Sequence, residues 1–434
     1  MMKTVCVMGL GYIGLPTAIT FAKHGMKVHG VDVNPLVISK LTKGEIHIEE
    51  PGLQEMLDSV VLTKSLTFGT APTTSDVYII SVPTPITSDK MADLSYVKSA
   101  TIAILPYLKP GALVVLESTV PPRTVEDTLI PILSQSGLEI GEDLYVSHSP
   151  ERVLPGKLLE ELISNDRVIG GINDKSTEMT IELYSQFVKG RMHPTDATTA
   201  EMVKLMENTY RDVNIALANE LAMIAQSIGF NVWEAINLAN YHPRVNIHKP
   251  GPGVGGHCIA VDPWFIYEQA PSLAKIVGTS REINDQMPIY VAKLAKELLK
   301  ETSTPKIAVL GLAFKGNVDD MRESPALTVI KELKDFSTVA VFDPHIKQEH
   351  TLKVETFEQC IENADILLIL TDHDEFKALS PETVSRFMRT KIIFDTRNII
   401  NIKQWEESGF KVQLLGNSNI SATKNKILFS SSSL

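Results

Sequence analysis

The sequence predicts an α/β protein in which two doubly wound parallel sheets are joined by a central helical region. Short apolar runs rich in Val and Ile alternate with helical stretches in the first third of the chain, and again from about Lys306 onwards. Such runs are typical of parallel strands buried on both faces. Between them, Thr198–Gly229 contains no proline and has apolar residues at spacings of three and four. This spacing predicts one long helix, about 45 Å at 1.5 Å per residue, whose apolar stripe serves either a dimer or an internal core.

The apolar runs place the strands and helices of each lobe. In the first lobe we expect helices over Leu15–His24 and Leu94–Leu108, and strands over Thr4–Met8, Lys27–Val31, Val77–Val82 and Ala112–Glu117. In the second lobe we expect strands over Ile307–Leu310, Val339–Phe342, Ile366–Leu370 and Lys391–Phe394.

The length of the chain, 434 residues, is too great for a single hydrophobic core and indicates several domains. The two strand-and-helix series place a first α/β domain over residues 1–195 and a second one over residues 301–415. Residues 196–300 form the central helical domain in this interpretation. Residues 416–434 end in a run of serines, and we expect a loosely ordered tail there.

The composition excludes several classes of function. A net charge of −11 argues against binding to nucleic acid or to an anionic membrane surface. The N-terminus has no signal-peptide pattern, and no run of about eighteen apolar residues occurs. The three cysteines are too scattered for a disulfide framework, which fits a reducing compartment. We therefore expect a cytoplasmic protein without a membrane span.

A glycine-rich turn follows the first strand, at Gly9-Leu-Gly11-Tyr-Ile-Gly14. A preceding strand and a following helix are the context that a dinucleotide-binding turn requires, because the helix N-terminus then faces the pyrophosphate. Asp32 ends the next strand, eighteen residues after Gly14, where its carboxylate would accept from a ribose 2′-hydroxyl and repel a 2′-phosphate. The pattern predicts a Rossmann-like domain that binds NAD rather than NADP. The alternative is a purely structural turn.

Two other strand ends carry hydroxyl groups, at Thr84 and Thr119. Ligands of open parallel sheets bind at the carboxyl ends of the strands, so these hydroxyls could meet the nicotinamide half of the cofactor. Ordinary strand-to-loop capping is the alternative for each residue.

One cysteine lies in a glycine-rich frame, Gly251-Pro-Gly-Val-Gly-Gly-His-Cys258-Ile-Ala-Val-Asp262. A cysteine is by default a buried structural residue, and this is our interpretation of Cys6 and Cys360. The glycines around Cys258 instead predict a loop whose backbone approaches a ligand. A thiolate adds to an aldehyde, and the adduct can lose a hydride to leave a thioester that water cleaves. Together with the nucleotide turn, this thiol predicts an enzyme that oxidises an alcohol through an aldehyde to an acid.

A polar row lies on the long central helix. Lys204, Asn208 and Arg211 are four and seven residues apart, which puts them on one face. Such a row is by default a solvated face with salt bridges. The alternative is that it directs an ammonium, an amide and a guanidinium toward a phosphorylated ligand.

Five motifs, in order along the chain, resemble the UDP-glucose/GDP-mannose dehydrogenase family. The resemblance covers nearly the whole chain, up to about Ile400, and the motifs are Gly9–Thr17, Pro150–Arg152, Glu201–Asn208, Gly253–Asp262 and Phe314–Pro325. Members are nucleoside-diphosphate-sugar 6-dehydrogenases with an NAD-binding, a central helical and a nucleotide-sugar-binding domain. The resemblance implies the same three domains here.

Two segments are most similar to the UDP-N-acetyl-D-mannosamine dehydrogenases within this family, namely His242–Ile247 and Gly255–Trp264. UDP-glucose dehydrogenases usually have Ser before the cysteine, where this chain has His257. The resemblance implies the NAD-dependent four-electron oxidation of UDP-N-acetyl-D-mannosamine at C6 to the uronate, for surface polysaccharide precursors. UDP-N-acetylglucosamine and UDP-glucose are the alternative substrates.

The resemblance also implies site roles. Cys258 would be the nucleophile, Lys204 a general acid/base or electrostatic partner, and Asn208 a ligand of an oxyanion or sugar oxygen. Asp262 would hold a water or orient Lys204. The positions that match the hydrolytic water site are Glu151 and Thr119. The positions that match substrate contacts are Arg152, Val153, Lys204, Asn208, Arg211, His242, Arg244, Gly255, Phe314, Lys315 and Arg397. The positions that match cofactor contacts are Gly9, Gly11, Tyr12, Ile13, Gly14, Asp32, Thr84, Thr119 and Arg322, and Arg322 acts across a subunit boundary in some members.

Two other functions fit parts of the pattern. A two-electron dehydrogenase of the 3-hydroxyacid type shares the first domain and a helical domain, but it needs neither Cys258 nor a second α/β lobe. A non-catalytic nucleotide-sugar sensor would not need thiol, lysine and aspartate together. No two histidines have ligand spacing, so we expect no metal site. We expect a homodimer or a higher homo-oligomer.

Overall fold

The computed structural model describes residues 4–154 and 156–418, and the chain forms two compact units. The first unit contains the residues up to Glu207 together with Trp264–Leu273. The second contains Asn208–Pro263 and the residues from Ala274 onwards. Most of the predicted tail, from residue 419, lies outside the described residues.

The first unit is built on one large sheet. Its strands are β1 (Thr4–Met8), β2 (Lys27–Val31), β3 (Leu66–Gly69), β4 (Val77–Ile80), β5 (Ala112–Leu116), β6 (Leu144–His148), β7 (Arg167–Gly171) and β8 (Met192–Asp196). Within the described residues they are ordered β3-β2-β1-β4-β5-β6-β7-β8. The sheet is parallel from β3 to β6, whereas β7 is antiparallel to β6 and parallel to β8.

Helices cover both faces of this sheet, because alternate residues of each central strand point to opposite sides. Val5 and Val7 enter one apolar cluster, and Cys6 and Met8 enter the other. The helices of this unit are α1 (Gly14–Lys23), α2 (Pro35–Thr42), α3 (Leu53–Leu62), α4 (Ser95–Ile104), α5 (Ile130–Leu133), α6 (Leu158–Ser164) and α7 (Asp174–Tyr184). The two-layer covering is the doubly wound arrangement that the sequence predicts.

One long helix, α8 (Ala197–Ile228), begins in the first unit and continues in the second. The predicted range, Thr198–Gly229, is displaced by one residue at each end. The other helices are α9 (Val232–Ala239), α10 (Asp262–Gln269), α11 (Lys275–Leu298), α12 (Pro325–Leu333), α13 (Phe357–Ile361), α14 (Asp374–Lys377), α15 (Pro381–Ser385) and α16 (Ile402–Glu407).

The second unit contains a smaller parallel sheet. Its strands are β9 (Lys306–Leu310), β10 (Thr338–Phe342), β11 (Ile366–Ile369), β12 (Ile392–Asp395) and β13 (Lys411–Leu414). They are ordered β10-β9-β11-β12-β13 within the described part of the chain. Ile307 and Val309 enter one apolar cluster while Ala308 and Leu310 enter another, so this sheet is also covered on both faces. The prediction of two doubly wound sheets with a central helical region is confirmed.

The predicted strands are all present, with ends that differ by at most two residues. The predicted helix Leu94–Leu108 is shorter: α4 ends at Ile104 and a 3₁₀ turn continues to Tyr107. Pro106 explains the change, because it has no N–H to donate to the preceding turn. Strands without a long apolar run were missed; β8, for example, has the sequence Met-His-Pro-Thr-Asp.

Side-chain caps begin two helices of the second unit. The Asn231 side chain accepts from the backbone N of Trp233, which caps α9. The Ser324 side chain accepts from Ala326 N, and Pro325 occupies the first position of α12, where its missing N–H costs nothing. In the described ranges of the chain, no helix is both long and apolar enough to cross a membrane.

Candidate active site

The glycine-rich turn between β1 and α1 has no space for side chains at two of its glycines. Gly9 has a φ of +93°, and a Cβ there would lie 2.4 Å from the carbonyl oxygen of Ser81. A Cβ on Gly14 would lie 1.9 Å from the carbonyl oxygen of Gly9. Gly11, by contrast, has no protein atom within 4 Å of where its Cβ would be. The turn therefore folds tightly and leaves open space at the N-terminus of α1, which fits a pyrophosphate. Ile13 occupies the N-cap position of α1.

Asp32 follows β2 and is held against the glycine turn. Its Oδ2 accepts from the backbone N of Leu10 at 3.1 Å, and its Oδ1 accepts from Asn34 N at 2.9 Å. Each carboxylate oxygen keeps a lone pair for a further donor. A ribose hydroxyl at the end of β2 is such a donor, so the residues present fit the adenosine half of NAD.

Tyr12 connects the glycine turn with a second loop. Its hydroxyl donates to Glu50 Oε2 at 2.5 Å, and the same carboxylate accepts from the backbone N of Gly156 and of Leu158. Burial, followed by the hydrogen bond with Glu50, raises the pKa of the Tyr12 hydroxyl. Tyr12 therefore stays protonated, and its hydroxyl hydrogen is directed to Glu50.

The hydroxyls predicted at two strand ends lie together. Thr84 Oγ1 donates to the carbonyl oxygen of Thr119 at 2.6 Å. Ser118 Oγ accepts from Val82 N and donates to Val82 O. These bonds join the ends of β4 and β5, as strand-to-loop capping does. Thr84 and Thr119 are only partly buried, so the same edge of the sheet remains accessible.

Glu151 belongs to a buried charged cluster that the sequence did not predict. Its Oε2 accepts from the guanidinium of Arg167, and its Oε1 accepts from the backbone N of Arg152 at 2.8 Å. Arg167 also lies 3.8 Å from Glu117 Oε1, and Tyr184 donates to Glu117 at 2.5 Å. Two charged residues at the ends of apolar strand runs were the available sequence signal for this cluster. Glu117 directly follows one such run, and Arg167 begins another.

The residues after Glu151 have partners within the first unit. Arg152 forms an ion pair with Glu207 of α8 and donates to the carbonyl oxygen of Asp166. Val153 packs against the apolar cluster that contains Val5. A contact between Val153 and a substrate would therefore be made by the backbone atoms of Val153. Lys204 is half-buried on α8.

The cysteine loop, Gly251–Asp262, packs against the segment Phe314–Pro325 in the second unit. A Cβ on Gly255 would lie 2.5 Å from the carbonyl oxygen of Glu323, and one on Gly256 would lie 2.9 Å from the Phe314 ring. Gly256 N also donates to the carbonyl oxygen of Arg322 at 3.1 Å. Gly255 thus permits close approach to the Glu323 backbone, and Gly256 permits close approach to the Phe314 ring. Two of the five sequence motifs meet here.

The C-terminal part of this loop is joined to α8 by three of the predicted catalytic residues. Asn208 Nδ2 donates to Asp262 Oδ2 at 2.6 Å, and both side chains are buried. Asp262 N donates to the carbonyl oxygen of Cys258 at 2.8 Å, while the Cys258 side chain is exposed. The second N–H of the Asn208 amide is available for an oxygen of a ligand. Hydrogen bonds thus connect the amide of Asn208, the carboxylate of Asp262 and the backbone of Cys258.

Two basic residues flank the thiol. Arg322 donates to Asp320 through Nε at 3.0 Å and through its terminal nitrogen at 2.7 Å. These bonds are the main cause that raises the pKa of Arg322. The negative charge of the Cys258 thiolate raises this pKa further, because the thiolate and the guanidinium attract each other. Desolvation of the ring, and then the nearby Arg322, lower the pKa of His257. His257 is therefore the neutral neighbour of the cysteine at pH 7.

The remaining predicted substrate residues fall into two groups. Arg397 follows β12 and donates to Asp372 Oδ1 at 3.0 Å, and the same oxygen accepts from Gly316 N. A Cβ on Gly251 would lie 2.7 Å from Arg397, so this arginine lies beside the start of the cysteine loop. Phe314 lies beside Gly255 and Gly256, and Lys315 Nζ lies 5.8 Å from the centre of the Phe314 ring. The second group is exposed on α8 and on the turns after α9, and consists of Arg211, His242 and Arg244.

A buried polar network supports the other end of the cysteine loop, and the sequence did not predict it. Asn219 Oδ1 accepts from Gly251 N at 2.9 Å, and Asn219 Nδ2 donates to Asn284 at 2.9 Å. Asn284 donates to Asp212, which also binds the guanidinium of Arg281 at 2.6 Å. Because all four side chains are buried, the network connects α8 with α11 and fixes where the loop begins.

Three possible metal-ligand side chains meet in the second unit, contrary to the expectation from spacing. They are His345, His373 and Glu375. His373 is buried, however, and both its ring nitrogens are occupied: Nδ1 accepts from Asn317 N, and Nε2 bonds to Asp343 at 3.1 Å. A metal would have to displace one of these bonds, so the cluster does not fit a metal site.

Comparison with known proteins gives matches along most of the chain. Three models of the UDP-glucose/GDP-mannose dehydrogenase family match: the NAD binding domain at residues 3–188, the central domain at 198–286, and the UDP binding domain at 308–402. The chain is 50% identical over 426 residues to a UDP-N-acetyl-D-mannosamine dehydrogenase of Methanococcus maripaludis, covering 96% of this chain and 97% of the relative.

Two further proteins are similar over comparable lengths. An NDP-N-acetyl-D-galactosaminuronic acid dehydrogenase of Ralstonia nicotianae is 46% identical over 417 residues, covering 93% of this chain and 97% of the relative. The solved structure of a UDP-D-ManNAc dehydrogenase from Pyrococcus horikoshii has a TM-score of 0.91 and 44% identity, covering 96% of this chain and 100% of that one.

Proposed function

Because the chain belongs to the UDP-glucose/GDP-mannose dehydrogenase family and is an NAD-dependent nucleotide-sugar dehydrogenase, we propose that it oxidises UDP-N-acetyl-D-mannosamine at C6 to the uronate. The observation that carries the chemistry is the arrangement of Cys258, Asp262 and Asn208, in which Asn208 donates to the buried Asp262 carboxylate and the Asp262 backbone N donates to the carbonyl oxygen of Cys258. The choice of sugar is supported by whole-length similarity to the dehydrogenases of Methanococcus and Pyrococcus.

The proposed reaction converts one C6 alcohol and one water to a carboxylate, with the loss of two hydrides and three protons. NAD supplies the hydride acceptor when bound. Cys258 adds to the C6 aldehyde through its thiolate, which forms a C–S bond and prevents escape of the aldehyde. Loss of the second hydride leaves a thioester. Water then breaks the C–S bond, and the thiolate is restored.

Five side chains are assigned to charge and proton movement or to the hydrolytic water. In our proposal Asn208 donates its second N–H to the oxyanion, and Lys204 supplies an ammonium or accepts the hydroxyl proton. Asp262 fixes Asn208 and either holds a water or orients Lys204. Glu151 activates the hydrolytic water, and Thr119 belongs to the same water site in this proposal.

Binding roles follow the positions described above. We propose that Asp32 and the glycine turn hold the NAD ribose and pyrophosphate, with Tyr12, Ile13, Thr84, Thr119 and Arg322 as further contacts. The substrate contacts in this proposal are Arg152, the Val153 backbone, Arg211, His242, Arg244, Gly255, Phe314, Lys315 and Arg397. The proposed domains are residues 1–195 for NAD, 196–300 for the central helical part and 301–415 for the UDP-sugar, and the extents of the three family matches support them.

The biological setting is also a proposal. The three cysteines and the acidic net charge support a cytoplasmic enzyme whose partner is a small UDP-sugar. The uronate product would serve as a precursor of a surface polysaccharide. The exposed apolar side chains of α8 support a homodimer.

The test is the number of NADH molecules formed per sugar consumed, measured with UDP-N-acetylmannosamine, UDP-N-acetylglucosamine and UDP-glucose. The proposal expects two NADH per UDP-N-acetylmannosamine and little turnover of the others. Preference for another sugar would overturn the substrate assignment alone. One NADH per sugar would overturn the role of Cys258.

A further inference from the structure

The charged cluster around Glu151 contains one cation and two carboxylates that are nearly excluded from water. The side chain of Arg167 is 3% exposed, that of Glu117 is 0% exposed and that of Glu151 is 7% exposed. The guanidinium carbon of Arg167 also lies 4.4 Å from the centre of the Tyr184 ring. If both carboxylates are ionised, the cluster has a net negative charge in a medium that solvates charge poorly.

The two carboxylates are held in different ways. Glu151 is hydrogen-bonded to Arg167 directly, whereas Glu117 lies 3.8 Å from the same guanidinium. The oxygens of Glu117 accept instead from Tyr184 at 2.5 Å and from Thr17 at 3.5 Å. Both of those donors are neutral hydroxyls. Glu117 is therefore the carboxyl of the pair that has no direct hydrogen bond from the guanidinium.

Burial, the neighbouring charges and two hydrogen bonds together set the pKa of Glu117. Burial is the main cause that raises the pKa of Glu117, to about 7; Arg167 on β7 lowers it and Glu151 raises it. Tyr184 on α7 and Thr17 on α1 stabilise the ionised form through hydrogen bonds. When Glu117 is protonated, Arg167 is attracted by Glu151 alone. When Glu117 is ionised, Arg167 is shared, and Glu151 is repelled by a second negative charge.

We infer that Arg167 and Glu117 are positioning residues for Glu151: Arg167 fixes the orientation of its carboxylate, and Glu117 controls how much of the Arg167 charge it receives. The inference rests on the proposed role of Glu151 in activating the hydrolytic water. A purely structural role explains the cluster less well, because buried ion pairs usually add little net stability over apolar side chains of similar size. Glu151 is also the member followed directly by Arg152, which donates to it.

The experiment follows the covalent adduct on Cys258 by intact mass after acid quench in single turnovers, across a range of pH. The variants are Glu117→Gln, Arg167→Lys and Glu151→Gln. The fold control is Arg389→Lys, which also removes a guanidinium from a buried carboxylate, that of Asp365 in the second unit. Binding of NAD by each variant reports on the integrity of the first unit.

Arg167→Lys is expected to slow adduct hydrolysis by roughly tenfold or more, a part of the about 10²–10⁴-fold that a positioned base contributes. The adduct then accumulates, while NAD affinity and the Arg389→Lys control stay at the wild-type level. For the wild type, the hydrolysis rate is expected to show a group that titrates near pH 7. Glu117→Gln removes that titration, because the amide cannot ionise, while it keeps the bond from Tyr184.

Two failures are distinguishable. If Glu151→Gln hydrolyses the adduct at the wild-type rate, the proposed role of Glu151 is wrong and the inference falls with it. If Glu151→Gln is slow, but Arg167→Lys hydrolyses normally or Glu117→Gln keeps the wild-type pH profile, the proposed function stands and the positioning roles are overturned.

Discussion

At the residue scale, the three cysteines of the chain differ in their surroundings. Burial raises the pKa of Cys6 to about 11 and that of Cys360 to about 12, so both thiols stay protonated at pH 7. The interpretation of these two as structural agrees with their burial. The Cys258 side chain is exposed, and its charge interacts with Arg322. Exposure and a nearby cation are the conditions under which a thiol reacts.

Cys258→Ser tests the covalent step. Serine is much less acidic than cysteine, so it does not supply a nucleophilic anion at pH 7. We expect uronate formation to stop while NAD affinity, measured by calorimetry, changes by less than about twofold. Cys6→Ser, a change outside the site, controls for the loss of a thiol. Wild-type uronate formation by Cys258→Ser would exclude a thioester intermediate.

Asp32→Asn tests the cofactor preference. The amide keeps an acceptor for Leu10 N but loses the negative charge that repels a 2′-phosphate. We expect the NAD-over-NADP ratio of kcat/KM to fall by about tenfold, equivalent to about 1.4 kcal/mol. Asp58→Asn, at an exposed position of α3, is the matched control. An unchanged ratio would remove Asp32 from the assigned role.

At the element scale, the network between α8 and α11 holds the start of the cysteine loop. Asn284 lies at its centre, with bonds to Asn219 and to Asp212. Through Asn219, the position of α11 is transmitted to Gly251. The spacing of apolar residues along a helix does not specify which polar groups of another helix it meets, which is why the network was not predicted.

Asn284→Ala is expected to lower both stability and turnover. It leaves the buried Asn219 Nδ2 without its acceptor and removes one of the donors to Asp212, at a cost of about 1–3 kcal/mol in the free energy of unfolding. Urea unfolding and kcat measure the two effects. The control is Asn214→Ala, because Asn214 bonds only a carbonyl of its own helix among the contacts described. Equal stability of the two variants would show that the network does not hold the loop.

At the scale of the whole molecule, α8 presents an exposed apolar stripe. Its large members are Met206, Tyr210, Leu217, Ile224 and Ile228, at spacings of four and seven. Contiguous exposed apolar surface of this kind usually marks an interface. The sequence left open whether the stripe faces an internal core or a dimer, and the exposure of these side chains favours the dimer.

A double variant, Leu217→Glu with Ile224→Glu, tests this interpretation. Two charges on the stripe would have to be buried without partners in a dimer, so we expect a monomer by sedimentation velocity. Lys293→Glu, on an exposed position of α11, should leave the sedimentation coefficient unchanged. A wild-type chain that sediments as a monomer at micromolar concentration would contradict the proposal.

The sequence by itself determined what depends on neighbours along the chain. Val- and Ile-rich runs gave the principal strands of both sheets, the three-and-four spacing gave α8 to within one residue, and the glycine pattern with Asp32 gave the nucleotide turn. These features depend on local periodicity and on the φ angles that glycine allows. A strand such as β8, whose polar residues and Pro194 suit a sheet edge, has no such local signal.

Only the tertiary structure decided which distant polar groups share a buried space. Asn208 meets Asp262 across 54 positions, and Tyr184 meets Glu117 across 67. Nothing in either local sequence specifies the partner, because a buried polar group requires a hydrogen bond but not one from a particular place in the chain. The antiparallel pairing of β7 with β6, and the meeting of His345, His373 and Glu375, also depend on contacts between distant parts of the chain. The types of residue at the site therefore predicted its chemistry. The hydrogen bonds that hold these residues in place could be identified only from the folded structure.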